Sequence, residues 1–409
     1  MDRPRLLFLS HTLPIPEGGA GIRSYNVLRL LSRHYEITVL AFYRKGMEPA
    51  SDSVARQLES VRGIADVEVF PIPQEFSRVR FIADHLRSGL RKRAYTIFAY
   101  GSREFESRVL THAQSGQYAL VHLDSLDLAG YLPLLGGLPV ACTHQNIESQ
   151  LMRRRALLER SWIRRRYLEF QATLLAAEER RCAGLSANLV VSDADAATLR
   201  NMAPGARVPV IPNGVDTEFF QPGNLDEEGV VFVGPASWPL NVDAMRFLGR
   251  DILPRVRRRG DVRATWVGRA TPTMKREFAQ QFGIEMTGFV ADVRPYVGSA
   301  ACYVVPLRTG GGTRLKILEA WALGKAVVST SAGCEGLAAV DGENILIRDS
   351  AEGFADAVLN VLSDAGLRAR LGRSGRSTAV RSYDWEMIGR TIAEEYATLH
   401  DHVREVTTV

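Results

Sequence analysis

The 409 residues leave room for two domains of ordinary size, and an apolar share of 46% beside 24% charged residues is that of a folded globular protein, not a disordered or fibrous one. The net charge of +5 is small and local: residues 151–181 hold nine arginines against four glutamates, and the rest of the chain is balanced, which argues against a nucleic-acid partner. Cys142, Cys182, Cys302 and Cys334 stand apart, with no C-x-x-C or Cys/His spacing, so neither a disulfide framework nor a zinc site is supported.

The first apolar run, "RLLFLS" (5–10), is too short for the core of a signal peptide and reads as a strand. No stretch approaches the roughly 20 apolar residues of a membrane span, and the expectation is a cytoplasmic protein. A Pro- and Gly-rich loop follows, then a helix through "IRSYNVLRLLSRH" and a strand at "EITVLAF". "VEVFPI", "YALVHLD", "LPVACTH" and "NLVVS" are further strands of the first half. Residues 208–229, dense in Pro, Gly, Asn and acids, break the pattern as a turn-rich linker. The alternation then restarts with "GVVFVG", "RATWVG", "IEMTGFV", "ACYVVPL" and "KAVVST", and the chain closes on an amphipathic helix, "DWEMIGRTIAEEYATLHDHV". Strands alternating with helices predict an α/β fold: two doubly wound, Rossmann-like domains facing across a cleft.

"RTGGGTRLKILEAWALGK" (308–325) carries the sharpest chemical signal. A strand gives way to three glycines and then to a helix that opens with Arg314 and Lys316 and ends at Gly324, a residue suited to a C-terminal cap. Cations in the first turn oppose the helix dipole, and an anion at that terminus reverses the cost. Glycine lets a ligand approach the backbone, free N–H groups face it, and the two cations add charge beside them. This describes a phosphate or diphosphate site, with Glu319 over a turn further in, placed to accept from a sugar hydroxyl. The plain alternative is a glycine loop followed by a surface Lys316–Glu319 pair. It is not a Walker motif, since G-x-x-x-x-G-K-[ST] is absent.

"LPIPEGGAGIRSYN" repeats the logic with Gly18, Gly19 and Gly21 ahead of a helix opened by Ile22 and Arg23. Ser24 stands where a dinucleotide fingerprint has its third glycine, and the next strand ends without the ribose-binding acid, so a nicotinamide cofactor is disfavoured. The alternative here is an ordinary strand-to-helix turn.

These segments, with "THQNIES", "IPNGVDTEFFQP", "FVGPASWPLNVDAMRFL", "GFVADVRPYV" and "CEGL", resemble the family 4 retaining glycosyltransferases of the GT-B fold over nearly the whole chain. The resemblance implies a first domain at 1–208 that binds the acceptor, a linker at 209–226, a donor domain at 227–385 and a terminal helix, 386–409, packing back on the first domain. It implies transfer of a sugar from a nucleotide-sugar donor to a glycan, lipid-linked or small-molecule acceptor, with retention, no metal and no cofactor. Residue by residue, Glu319 matches the glutamate that binds the donor ribose. The amides of Gly312, Thr313, Arg314 and Leu315 match the cap over the diphosphate. His144 matches the first-domain histidine near the reacting centre, Gly19 and Gly21 the loop that approaches the donor, and Val290 the position whose backbone reads the nucleobase.

Two positions depart from the family pattern. Gly311 stands where members carry a first glutamate that contacts the donor sugar, and Pro235 with Leu240 and Asn241 replace an Arg and a Lys expected after Gly234. Arg314 and Lys316 are the cations left to serve the diphosphate. As catalytic candidates we take His144, Arg314, Lys316 and Glu319. No carboxylate pair for a double displacement stands out. Attack on the face of the departing diphosphate, with the diphosphate as base and the cations fixed where its charge grows, is the expected route. Asp124, Asp127 and Glu148 near first-domain strand ends read either as groups that bind acceptor hydroxyls or, the plainer reading, as solvated loop acids. The Arg-rich stretch 151–181, interleaved with Trp162, Ile163, Tyr167 and Phe170, reads either as a membrane-surface helix or as a helix whose arginines cover its own domain. A GT-B-like sugar-nucleotide epimerase or phosphorylase and a non-catalytic peripheral binding protein are the competing functions.

Overall fold

The structure, a computed structural model, describes residues 3–16, 21–223, 228–309 and 315–407. The chain divides into two compact units: Met1–Pro212 together with Ile388–Val409, and Asn213–Met387.

Unit one is built on β1 (Arg5–Ser10), β2 (Glu36–Tyr43), β3 (Asp66–Pro71), β4 (Tyr118–Leu123), β5 (Val140–His144) and β6 (Ala187–Val190), all parallel in the order β3-β2-β1-β4-β5-β6. Near-continuous apolar strands are what a parallel sheet covered on both faces requires. Leu6 to Leu9 of β1 are accordingly all inaccessible to solvent. One core layer gathers Leu7, Leu40, Phe42, Phe70 and Phe105, the rings of Phe42 and Phe105 stacking at 4.3 Å. The last helix, Trp385–Thr407, joins this unit from Ile388 onward. Gly389 has no room for a side chain there, since a Cβ would sit 2.5 Å from Leu30 Cδ2, and Tyr396 is fully buried.

Unit two carries β7 (Val230–Val233), β8 (Ala264–Val267), β9 (Ile284–Gly288), β10 (Cys302–Val305), β11 (Val327–Ser329) and β12 (Leu346–Ile347), parallel in the order β12-β11-β10-β7-β8-β9. Numbered from its own first strand, this is the order of unit one read from the other edge. The expected two doubly wound domains are present, each with a switch point where the strand order reverses, between β1 and β4 and between β7 and β10. Ligands of such sheets bind beyond the carboxyl ends of the strands at that point.

The helix Leu315–Ala322 is fixed from behind by two glycines of the helix Ala365–Ser382. A Cβ on Gly372 would lie 2.0 Å from the Gly324 carbonyl oxygen, and one on Gly375 2.4 Å from Trp321 Cδ1. Residues 208–223 are more ordered than a turn-rich linker suggests. Val210 bridges Val190, Val215 bridges Asp384, and Arg376 donates to the carbonyls of Thr217 and Phe220 at 3.1 and 2.8 Å. Strand β12 is absent from the sequence reading because two residues have no period to detect.

Candidate functional site

In unit two the switch point is organised by Gly234, which follows β7 with φ +157°. Its N–H donates to the Val267 carbonyl at 2.9 Å, and its carbonyl accepts from Trp266 Nε1 at 2.7 Å. A Cβ at Gly234 would meet Asn241 Nδ2 at 2.7 Å and Lys316 Nζ at 2.9 Å, so two polar side chains converge on its bare Cα. Asn241, 5% exposed, donates from Nδ2 to the Pro235 carbonyl at 2.9 Å, which turns its Oδ1 toward the lysine. Lys316 Nζ donates to that Oδ1 at 3.1 Å and lies 4.0 Å from the centre of the Phe232 ring. The Asn241 amide oxygen and the Phe232 face thus help to hold the ammonium at the mouth of the sheet.

Leu315 opens the same helix and is half-buried, as is Glu319 one turn beyond Lys316. Burial pushes the Glu319 carboxyl up to about 7, and the neighbouring Lys316 works against that rise. Glu319 therefore stands near the balance between its neutral and ionised forms at neutral pH. Val290 follows β9 and packs half-buried on the core under the switch point, next to Phe289, which is 67% exposed beneath Arg269 at 4.7 Å. Arg308, which begins the glycine-loop stretch, is engaged with Asp243 at 3.0 Å. Gly311, Gly312, Thr313 and Arg314 lie outside the described residues, as do Gly18 and Gly19 of unit one.

In unit one the switch point closes on itself. Gly21 opens the helix Gly21–Leu31, where a Cβ would lie 2.6 Å from the Leu13 carbonyl oxygen. That close approach brings Arg23 and Ser24 under the end of β1. Arg23, 3% exposed, donates to the carbonyls of Pro212 and Ile211 at 2.9 and 2.8 Å, and burial lowers its pKa to about 10. Asp124, immediately after β4, is 1% exposed. It accepts from Ser10 Oγ at 2.9 Å, Ser24 Oγ at 2.5 Å and His122 Nε2 at 3.5 Å, and lies 3.6 Å from His11 Nδ1. Burial opposes its charge, but the donors His11 and His122 prevail and hold its carboxyl well below the usual carboxylate range. Burial likewise works against the charge of His11, and Asp124 overcomes it, so the His11 pKa is raised. His122 Nδ1 in turn meets the Tyr396 hydroxyl of the last helix. Asp124 is therefore not a solvated loop acid: its own N–H bonds the Leu9 carbonyl at 2.9 Å, which draws it against the end of β1 and under three side-chain donors with His11 close by.

His144 ends β5 at 2% exposure. Asn188 Nδ2 donates to the Ala183 carbonyl at 3.3 Å, so the Asn188 oxygen faces the imidazole, and His144 Nε2–H donates to it at 2.9 Å. Burial lowers the His144 pKa, the ring is neutral, and its Nδ1 is a buried acceptor with no hydrogen-bond partner. Thr143 Oγ1 and Gln145 Nε2, on either side of it in sequence, are also buried without partners. Orphaned buried polar groups are uncommon in a native interior, and as successive residues of β5 Thr143 and His144 face opposite sides of the sheet. Glu148 starts the next helix, half-buried, its carboxyl raised to about 7 by burial with the charges of Asp127 and Glu179 adding to the rise.

The structure thus brings Lys316, Glu319, Leu315 and Val290 into unit two and His144 and Gly21 into unit one. Sequence reasoning missed the Phe232–Asn241 anchor and the His11–Asp124–His122–Tyr396 network. Asn241 had left a signal, standing where a cation was expected, whereas the network joins residues up to 274 positions apart and leaves none.

Residues 17–219 match the family described as Glycosyltransferase Family 4, and residues 227–364 match Glycosyl transferases group 1. The lipopolysaccharide core biosynthesis glycosyltransferase LpsE of Rhizobium meliloti is 35% identical over 112 residues, 26% of this chain and 31% of that protein. The phosphatidyl-myo-inositol mannosyltransferase of Mycolicibacterium smegmatis is 31% identical over 211 residues, 48% of this chain and 53% of that protein. The chain thus spans from about a third to about half the length of these curated relatives. Among solved structures, Anabaena HepE in complex with UDP superposes with a TM-score of 0.67 at 17% identity, covering 96% of this chain and 100% of that one. Sucrose-phosphate synthase from Thermosynechococcus elongatus does so with a TM-score of 0.67, also at 17% identity, over 98% and 100%. Likeness at that identity carries the fold, the paired Rossmann-like domains of GT-B.

Proposed function

The chain belongs to the family 4, group 1 glycosyltransferases, and from that premise we propose that it moves a sugar from a nucleotide-sugar donor to a hydroxyl of a glycan, lipid-linked or small-molecule acceptor. The observation that carries the reading is the convergence of Lys316 and Asn241 on Gly234, one helical turn from Glu319. An ammonium drawn to the switch point by the Asn241 amide oxygen and the Phe232 ring sets positive charge beside the place where a donor's diphosphate would sit. Lys316, with Arg314 two positions before it in sequence, neutralises the donor diphosphate, and Glu319 accepts from the ribose hydroxyls. Phe232 and Asn241 are positioning residues that hold the lysine where the family's Arg and Lys are missing.

Breaking the bond between sugar and diphosphate builds negative charge on the leaving oxygen, and a cation already in place there stabilises it without rearrangement. We propose retention and a metal-independent reaction on the same grounds of kinship, the diphosphate serving as base for the attacking hydroxyl. His144 contributes a neutral ring whose free Nδ1 accepts from a hydroxyl of the transferred sugar. Peripheral contact with a membrane through residues 151–181 belongs to this reading and suits a lipid-linked acceptor.

The test is donor binding and turnover. UDP, GDP and dTDP are screened by thermal shift, and the corresponding nucleotide sugars by release of nucleoside diphosphate. At least one should stabilise the protein and one be turned over. Absence of both across the panel refutes the reading. Undiminished diphosphate affinity in Arg314→Ala with Lys316→Ala refutes the role given to those cations.

A further inference from the structure

The helix Arg78–Arg91 is inside out. Val79, Ile82, Leu86 and Leu90 recur at the three- and four-residue spacing of a core-facing stripe, yet they are 79%, 61%, 64% and 84% exposed. The buried residues of this helix are polar, Asp84 and Ser88. Asp84 accepts from Arg80 Nε at 2.9 Å and from Arg87 Nη1 at 3.1 Å. Ser88 donates to the Arg93 carbonyl at 2.8 Å and accepts from Gln171 Nε2 at 2.9 Å. That last bond reaches the helix Trp162–Cys182, whose Tyr167 ring also stacks on His85 with centroids 5.8 Å apart. From Trp162 to Phe170 every residue of this second helix but Leu168 is exposed, Trp162 at 74% and Ile163 at 62%, beside Arg164, Arg165 and Arg166. The inverted helix is therefore joined to the Arg-rich one by the buried Ser88–Gln171 bond and the His85–Tyr167 stack, with both apolar sets left outward.

We propose that the helices Arg78–Arg91 and Trp162–Cys182 form one docking face that seats on an anionic lipid bilayer, their apolar side chains entering the headgroup boundary and their arginines meeting lipid phosphates. Exposed apolar surface on this scale marks an interaction site, and mixing it with arginine is the composition of helices that lie in a membrane interface. A second copy of the chain fits worse: the face is net basic, with Arg164, Arg165 and Arg166 exposed on it, so two copies of it repel, whereas lipid phosphates supply the opposite charge. Among the described residues no helix is long and apolar enough to cross a membrane, so the face lies on the bilayer. The inference rests on the membrane contact read above for 151–181 and adds the inverted helix as its second half. It does not depend on the transfer reaction.

The test is co-sedimentation of the full chain with vesicles of phosphatidylcholine alone or with about a third phosphatidylglycerol. Binding is expected to the anionic vesicles, weakened as salt is raised to about 0.5 M. Leu86→Glu with Leu90→Glu should lower the partition by about tenfold or more while melting temperature and nucleoside diphosphate affinity stay unchanged. The milder Leu86→Ala with Leu90→Ala should give a smaller loss and serves if the glutamates perturb folding. Wild-type protein that ignores anionic vesicles, or binding unaffected by either double variant, overturns the proposal. So does a dimer that the glutamate variant dissolves. Vesicle binding without any nucleoside diphosphate binding would sustain this face and refute the proposed function. The reverse pattern would refute the face alone.

Discussion

At the ends of β1 and β4, unit one folds its polar groups onto one another, while at the ends of β7 and β10 unit two leaves its charged groups half-open. Both points arise from the same strand order, so topology places them and the side chains decide their use. Asp124 is fully buried under serine and histidine donors and is held ionised by them. Lys316 and Glu319 are half-buried, the lysine against the Asn241 amide and the Phe232 ring and the glutamate raised toward neutral pH by its burial. A closed network contributes rigidity, and half-open groups contribute binding capacity.

The comparison breaks most visibly at Asp124. Asp124→Ala leaves buried histidines and Arg23 without their counter-charge, and we expect a loss of about 3 kcal/mol, or about 10 °C in melting temperature. A scanning calorimetry trace unchanged from wild type contradicts the structural reading of that network. The pH dependence follows from the lowered carboxyl: its stabilisation is present above the ordinary Asp range and is lost as pH falls through the depressed value. The raised histidine pKa of His11 acts in the other direction, its share being lost as pH rises through that value. Denaturation midpoints across acid pH should therefore fall steeply in wild type and weakly in Asp124→Ala.

Gly234→Ala attacks the open point instead. The added Cβ must displace Asn241 or Lys316, and we expect nucleoside diphosphate affinity to fall by about a hundredfold, measured by calorimetric titration. Lys316→Ala should cost about ten- to a hundredfold with little change in melting temperature, the opposite profile to Asp124→Ala. The smallest effect is the titration of Glu319. An ionised carboxylate accepts from ribose hydroxyls more strongly than the neutral acid, so affinity should strengthen as pH rises through about 7, and Glu319→Gln should remove that part of the profile. In stability the sign reverses, because a raised acid favours the folded state at low pH and disfavours it as pH climbs from the ordinary Glu range to about 7.

Every strand but β12 was legible because apolar runs such as Leu6–Leu9 and Val230–Val233 announce buried parallel strands, and the start of a helix at Lys316 was legible from the glycines before it. Other features depend on partners distant in sequence. Asp124 looked solvated because its donors come from β1 and the Gly21–Leu31 helix, and nothing near it in sequence names them. In the helix Arg78–Arg91 the apolar residues recur at core-face spacing, yet Asp84 and Ser88 are the buried ones, Ser88 bonding Gln171 of a helix 83 positions away.

The most direct measurement is calorimetric titration of UDP, GDP and dTDP into the wild-type protein and Lys316→Ala in parallel. The account predicts that one nucleoside diphosphate binds the wild type and that its affinity drops at least tenfold in the variant at equal melting temperature. No binding by any of the three, or equal affinity in the two proteins, would contradict it.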